Sequence, residues 1–104
     1  MIITEEYLIK ENACPESITW YETYHPNIEG RELVRYLSQY RFDWAQWLLR
    51  RLLNPENQVK FMTNTIRIRQ TFGTHDVKYQ EEILQFGFKL LTEEEDAKKE
   101  MPHL

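Results

Sequence analysis

The chain has 104 residues, enough for one domain with a real core and too few for a second. With 41% hydrophobic and 29% charged residues it reads as a globular protein, and disorder over most of its length is excluded. A single cysteine, Cys14, excludes an intrachain disulfide and an all-cysteine metal site, and no apolar run approaches the roughly 20 residues that cross a bilayer.

The opening M-I-I-T-E-E is acidic where a signal peptide would be basic, so the expectation is a cytoplasmic protein without a membrane partner. Thr4 is placed to cap a short helix, with Glu5 and Glu6 at the positive end of its dipole and Ile3 positioned to staple onto Leu8. That helix should stop near Asn12, since Cys14-Pro15-Glu16 begins another with proline at a first helical position. Ile18, Trp20, Tyr21 and Tyr24 supply its apolar side. Pro26 disfavours helix at His25, and Asn27 is the expected cap of a third segment in which Leu33, Tyr36, Leu37 and Tyr40 follow three-four spacing, with Gly30 weakening its first turn.

Phe42 to Leu53, F-D-W-A-Q-W-L-L-R-R-L-L, is expected to be the central helix. Asp43 and Gln46 have capping-box spacing, and Trp44, Ala45, Trp47, Leu48, Leu49, Leu52 and Leu53 sweep most of the circumference. Asn54-Pro55-Glu56 ends it and starts the next segment, with Arg50 and Arg51 at the negative end of the helix they close. Over 56–72, Val59, Met62 and Ile66 fit a helical stripe while Ile66-Arg67-Ile68-Arg69 alternates as a strand would. Helix is favoured because no second alternating segment offers a pairing partner. Gly73 closes that segment, and Thr74 or Asp76 can cap a long helix bearing Val77, Gln80, Ile83, Leu84, Phe88 and Leu91. Gly87 inside it costs about 1 kcal/mol relative to alanine. From Thr92 the chain can restart as a capped helix or fray as an acidic tail through residue 104. The fold expected is therefore all-α, a single domain of five or six short helices around 42–53.

Charge is unevenly distributed about the net −4. Residues 1–29 carry six acids against one lysine, 30–75 eight bases against three acids, and 76–104 eight acids against four lysines. Intermixing of the ends with the middle is the plainer account, and a face kept free for a partner is the sharper one.

Ala13, Cys14, Glu16 and Trp20, followed by Asp43, Trp44, Trp47, Leu48, Leu49 and Arg51, form the pattern A-C-x-E-x-x-x-W, a spacer, then D-W-x-x-W-L-L-x-R. This resembles small bacterial and phage proteins of unassigned function, although members often carry glycine where this chain has Phe42. The match covers the N-terminal half. The resemblance implies an all-helical domain associated with phage or mobile-element biology and implies no reaction.

Trp20, Trp44, Trp47, Leu48 and Leu52 read as core, with Arg51 inside the apolar sector, stacked on Trp47 and paired with an acid such as Glu16. Cys14 is small and apolar enough for core packing, and no nucleophile signature surrounds it. The His75-Asp76 doublet lacks spaced supplementary ligands, His25, Asp43 and Asp96 fitting no motif, and Asp76 as a helix cap accounts for it. No catalytic, cofactor or metal residue is assigned.

The leading expectation is a non-enzymatic protein-interaction module that modulates a host or defence protein, in its most concrete form a counter-defence inhibitor of a nucleic-acid-handling complex. Glu81, Glu82, Glu93, Glu94, Glu95 and Asp96 are then the acidic partner-binding surface, for which a solvated helix end is the plainer reading. The alternative is a nucleic-acid-binding face built on Arg31, Arg35, Lys60, Arg67 and Arg69, against which overall acidity argues. A small hydrolase ranks third. Exposed aromatics would point to a homo-oligomer.

Overall fold

The computed structural model describes residues 1–24 and 26–100, the side chain of Glu100 excepted. They form six helices: α1 Glu5–Lys10, α2 Pro15–Tyr24, α3 Gly30–Ser38, α4 Phe42–Leu52, α5 Pro55–Thr71 and α6 Val77–Glu100. Among the described residues there is no strand, only an isolated antiparallel bridge between Ile2 and Glu29. The protein is all-α, and the ambiguous 56–72 segment is helix. Its contacts divide the chain into two units, Met1–Leu48 and Leu49–Leu104, so that the boundary falls inside α4.

In the first unit, Thr4 caps α1 as its spacing predicts, its hydroxyl accepting the Tyr7 N–H at 3.1 Å. The end of α1 is a Schellman turn: Asn12 takes a left-handed φ of 58°, its N–H reaches the Ile9 carbonyl, and the Ala13 N–H reaches that of Leu8. Ala13 and Leu8, the two residues such a turn brings together, are both buried. Asparagine does here what glycine usually does, because its short polar side chain tolerates the left-handed region. Proline 15 opens α2 as expected.

Asn27 is not the cap of α3. It also adopts a left-handed φ, 45°, its amide oxygen lies 3.0 Å from the Tyr21 hydroxyl, and α3 starts at Gly30. The Tyr21 hydroxyl donates to the buried Ile3 carbonyl at 2.9 Å, tying the N-terminal stretch to α2. Ile3, Leu8, Tyr21, Leu33, Val34, Leu37, Ala45 and Leu48 are the buried apolar side chains around which this unit is built.

Asp43 does not cap α4 either. The helix begins one residue earlier, at Phe42, and the Asp43 carboxylate turns back onto Arg41. A strong ionic acceptor two residues away from a guanidinium outcompetes the weaker backbone capping bond.

In the second unit the start of α5 follows the spacing: Pro55 is its first residue and the Asn54 amide oxygen accepts the Asn57 N–H at 2.8 Å. The face it buries is a different one from the predicted stripe. Asn57, Phe61, Thr65 and Ile68 point inward, whereas Val59, Met62 and Ile66 are 64%, 48% and 56% exposed. Two apolar stripes compete for the core on this helix, and the one containing the single aromatic ring, the larger apolar surface to remove from water, takes it.

Against Phe61 stands Gly87 of α6. A Cβ there would lie 2.3 Å from Cδ2 of Leu49 and 2.8 Å from Cε2 of Phe61, so glycine is a packing requirement rather than only a helix-weakening residue. Tyr79, Ile83 and Leu90 complete the buried face of α6, while Val77 is exposed. Asp76 caps this helix, accepting the Lys78 N–H at 2.9 Å. The helix continues unbroken past Thr92 to Glu100, and residues 101–104 of the expected tail lie outside the described residues. Among the described residues no helix is long and apolar enough to cross a membrane.

Candidate functional site

The feature of the first unit with the most chemistry is a groove assembled from two pairs of aromatic residues at helical spacing. Trp20 and Tyr24 lie one turn apart on α2 with ring centroids 5.4 Å apart; Tyr36 on α3 and Tyr40, in the turn just past its end, lie at 5.2 Å. Side chains four residues apart share a helix face, which is how Trp20 and Tyr24 meet, whereas the turn after α3 carries Tyr40 beside Tyr36. Trp20 then joins the two pairs, 6.2 Å from Tyr36, and meets Trp44 of α4 edge-on at 6.1 Å. Tyr24, Tyr36 and Tyr40 remain 65%, 46% and 68% exposed. Five aromatic rings thus line one groove of about 510 Å³, with Glu16 and Arg41 at its edge.

Trp20, Leu37, Arg41 and Trp44 are shared with an adjoining, more apolar hollow of about 360 Å³, bounded also by Leu8, Leu33 and Trp47. The two hollows therefore lie on either side of a ridge made by Trp20 and Trp44.

Arg41 holds that ridge. Its Nε and Nη2 grip the Asp43 carboxylate at 3.1 and 2.9 Å, its Nη1 donates to Glu16 at 2.9 Å, and its Cζ sits 4.0 Å above the Trp44 ring. The bonds to Asp43, then that to Glu16, raise the guanidinium pKa above its already high ordinary value. The Arg41 bonds, aided by the Trp44 N–H, hold the Asp43 carboxyl below the usual carboxylate range. Arg41 is in this way held by two acids, one cation against two carboxylates, beside the rings, tyrosine hydroxyls and indole N–H groups that would meet a ligand.

The residues singled out from sequence fall differently. Of the expected core, Leu48 is buried, and Trp20, Trp44, Trp47, Arg51 and Leu52 are half-buried, the three tryptophans lining the hollows. Glu16, proposed for Arg51, belongs to Arg41. Cys14 is exposed rather than packed in the core, at the smaller hollow. His75 is exposed, Asp76 is a cap, and His25 lies outside the described residues. Among the described residues no three His, Cys, Asp or Glu side chains converge.

The acidic set on α6 is not one surface. Glu94 is turned inward: its carboxylate takes the Asn54 N–H at 3.0 and 3.2 Å and the Asn57 side-chain amide at 2.8 Å, so an acid sits at the positive end of α5. Glu81, Glu82, Glu93, Glu95 and Asp96 are exposed, but at about 100° per residue Lys78, Lys89 and Lys99 fall on the same side and interleave with them.

The basic set is likewise divided. Arg31 and Arg35 are on α3 of the first unit, and Lys60, Arg67 and Arg69 on α5 of the second. On α5, Lys60 and Arg67 share one flank and Arg69 takes the other; Lys60 faces Glu56 at 3.5 Å, and the Arg67 Nε donates to Asn64 at 2.9 Å. Counted by unit, the basic middle of the sequence disappears: residues 1–48 carry eight acids against four bases, and residues 49–104 carry nine of each.

Sequence reasoning passed over Tyr24 as a site residue, counted Arg41 only among the basic residues of the middle block, and took Trp20 and Trp44 for core. The available signals were the two aromatic pairs four residues apart and the R-x-D-W run at 41–44. Comparison with protein-family models, curated proteins and solved structures finds no match.

Proposed function

We propose that the protein is a non-enzymatic interaction module that binds another protein by receiving an extended, proline-rich segment in the aromatic groove of its first unit. The observation that carries this is the groove itself: five rings from α2, α3, α4 and the turn after α3, with Tyr24 and Tyr40 largely open to solvent, around one arginine held by two carboxylates. A polyproline II segment presents flat apolar ring edges and unpaired carbonyls at three residues per turn, and aromatic grooves bearing hydroxyl and indole donors are the surfaces that read it. Lysine or arginine flanking the prolines would meet a unit with an excess of acids.

Nucleic acid would stack on the same rings, but its affinity comes from cations along the phosphates, and among the described residues the one Lys or Arg lining the groove, Arg41, is held by two carboxylates. The resemblance to small phage proteins makes a host or defence protein the natural bearer of the segment; mimicry of nucleic acid by α6 finds less support, with Glu94 engaged internally and lysines among the acids.

The test is a titration followed by the emission of Trp20 and Trp44, using a proline-rich peptide ending in arginine, a glycine-serine peptide of equal charge, and oligothymidylate. Saturable binding of the first alone, lost in the Tyr36→Ala, Tyr40→Ala double variant with an unchanged melting temperature, is the expected result. Equal response to the glycine-serine peptide, or binding of oligothymidylate with a steep salt dependence, overturns the reading.

A further inference from the structure

The smaller hollow of the first unit has an apolar floor and a charged mouth that the peptide reading leaves unused. Leu8, Tyr21, Leu33, Leu37 and Leu48, from four helices, are buried and form the floor. The half-buried indole rings of Trp20, Trp44 and Trp47 also line it. Its polar residues come from one side. Asn12, Cys14 and Ser17 precede or open α2, Arg41 and Asp43 precede or open α4, and the 2.9 Å bond from Arg41 to Glu16 ties those two helix starts together. Asn12, Cys14 and Asp43 are exposed, so these groups form the mouth and the leucines the floor.

Size and sign of charge together select an occupant. A volume of about 360 Å³ lies at the lower end of ligand pockets, about 300–1,000 Å³, and is more than twice the roughly 150 Å³ in which an apolar cavity holds benzene. That is room for a molecule of two fused rings. Water in a hollow lined by leucine and indole finds few partners, so an apolar body displaces it favourably. At the mouth the charges are unequal. Arg41 faces two carboxylates, Asp43 and Glu16, whereas Asp43 faces one cation, and its side chain is 65% exposed, with acceptor sites left toward solvent. Among the described residues Asp43 is the one carboxylate lining the hollow, and the unit carries eight acids against four bases. Indole faces attract the same sign of charge as that excess of acids does.

From this arrangement we infer that the hollow binds a small aromatic molecule bearing an ammonium group, its rings on the leucine floor among the indoles and its ammonium at Asp43. An aromatic carboxylate of like size meets Asp43 with the wrong sign and is discriminated against. The site goes beyond the peptide reading and does not depend on it. Cys14, Ser17 and Trp47 line the hollow and not the groove, and Tyr24, Tyr36 and Tyr40 line the groove and not the hollow.

The test is a titration of the nitrogen-labelled full chain with three probes of like size, naphthylmethylammonium, naphthylmethanol and naphthoate, followed through the indole N–H resonances. The expected result is a saturable shift of Trp47 with the ammonium probe, at an affinity about fivefold or more above that for naphthoate, with naphthylmethanol between them. Asp43→Asn removes the preference and keeps the binding of naphthylmethanol. Ser17→Phe, which puts a ring into the hollow, abolishes binding of all three probes with an unchanged melting temperature. Alkylation of Cys14, the single cysteine, blocks the mouth and does the same without any substitution. The Tyr36→Ala, Tyr40→Ala double variant, which disables the groove, leaves probe binding intact. Absence of saturable binding by every probe overturns the inference. So does equal affinity for the three head groups, or binding that persists when Cys14 is alkylated and is lost with the groove tyrosines.

Discussion

The two units use the same sequence device, large apolar residues one helical turn apart, and reach opposite ends with it. In the first, Trp20 with Tyr24 and Tyr36 with Tyr40 cover one another at the surface, and the three tyrosines stay open to solvent. In the second, Phe61 is enclosed because Gly87 on α6 has no side chain to keep Leu49 and the Phe61 ring away. Spacing alone thus does not distinguish a surface platform from a core. What distinguishes them is whether some other helix offers a small residue opposite the ring, which is a fact about packing.

The sharpest way to break the contrast is to close the gap at Gly87. Gly87→Val puts branched carbon where even a Cβ already meets Leu49 and Phe61 at under 3 Å, and the expected loss is about 3 kcal/mol, at the upper end for overpacking. Thermal or urea denaturation measures it. Gly87→Ala should lose less, about 1 kcal/mol, because the helix regains part of what glycine costs it. A stabilised Gly87→Ala variant would show that Leu49 and Phe61 yield easily and that the second unit is not close-packed there.

Next in size is Glu94. Glu94→Ala removes the acceptor for the Asn54 N–H and for the amide of the buried Asn57, and should cost about 2 kcal/mol, in the range for hydrogen bonds to a charged group. Glu93→Ser and Asp96→Ser, on the exposed side of the same helix, should stay within about 0.5 kcal/mol of the native chain. Equal losses at all three positions would mean that the acids of α6 act together, as a surface, instead of one of them serving as the clamp on α5.

The smallest effect belongs to the groove. The folded-state pKa of Asp43 is depressed, so the contribution of its pair with Arg41 is present above the unfolded value, about 3.9, and is lost as pH falls through the lower folded value. Tryptophan emission should therefore hold steady from neutrality to about pH 4 and change only below it, as Arg41 loosens from Trp44. The pair is substantially exposed, so the change is expected in the local signal rather than in global unfolding. In Asp43→Asn the acid transition attributable to this pair should be absent; its persistence would assign the signal to another carboxylate.

Much of the local structure was legible before any coordinates. Thr4, Pro15, Asn54, Pro55 and Asp76 act at the helix ends where their chemistry places them, since a cap depends on neighbours three residues away at most. The misreadings all involve a competitor that the linear chain does not reveal. Asp43 has capping spacing but prefers Arg41, which Glu16, 25 residues earlier, helps to fix. Asn27 resembles a cap but turns toward Tyr21. Val59, Met62 and Ile66 resemble a core stripe but yield to the stripe containing Phe61. The candidate site was half visible: the aromatic pairs are in the sequence, but their convergence on Arg41 is not.

The sequence by itself determined that this protein is helical and where α1, α2, α5 and α6 begin, because periodicity and capping are short-range properties of the chain. The tertiary structure alone decided which face of α5 is buried, that Glu94 is a clamp and not a free acid, and that five aromatic rings share one groove. Those outcomes rest on steric fit and charge pairing between residues tens of positions apart, which no local pattern encodes.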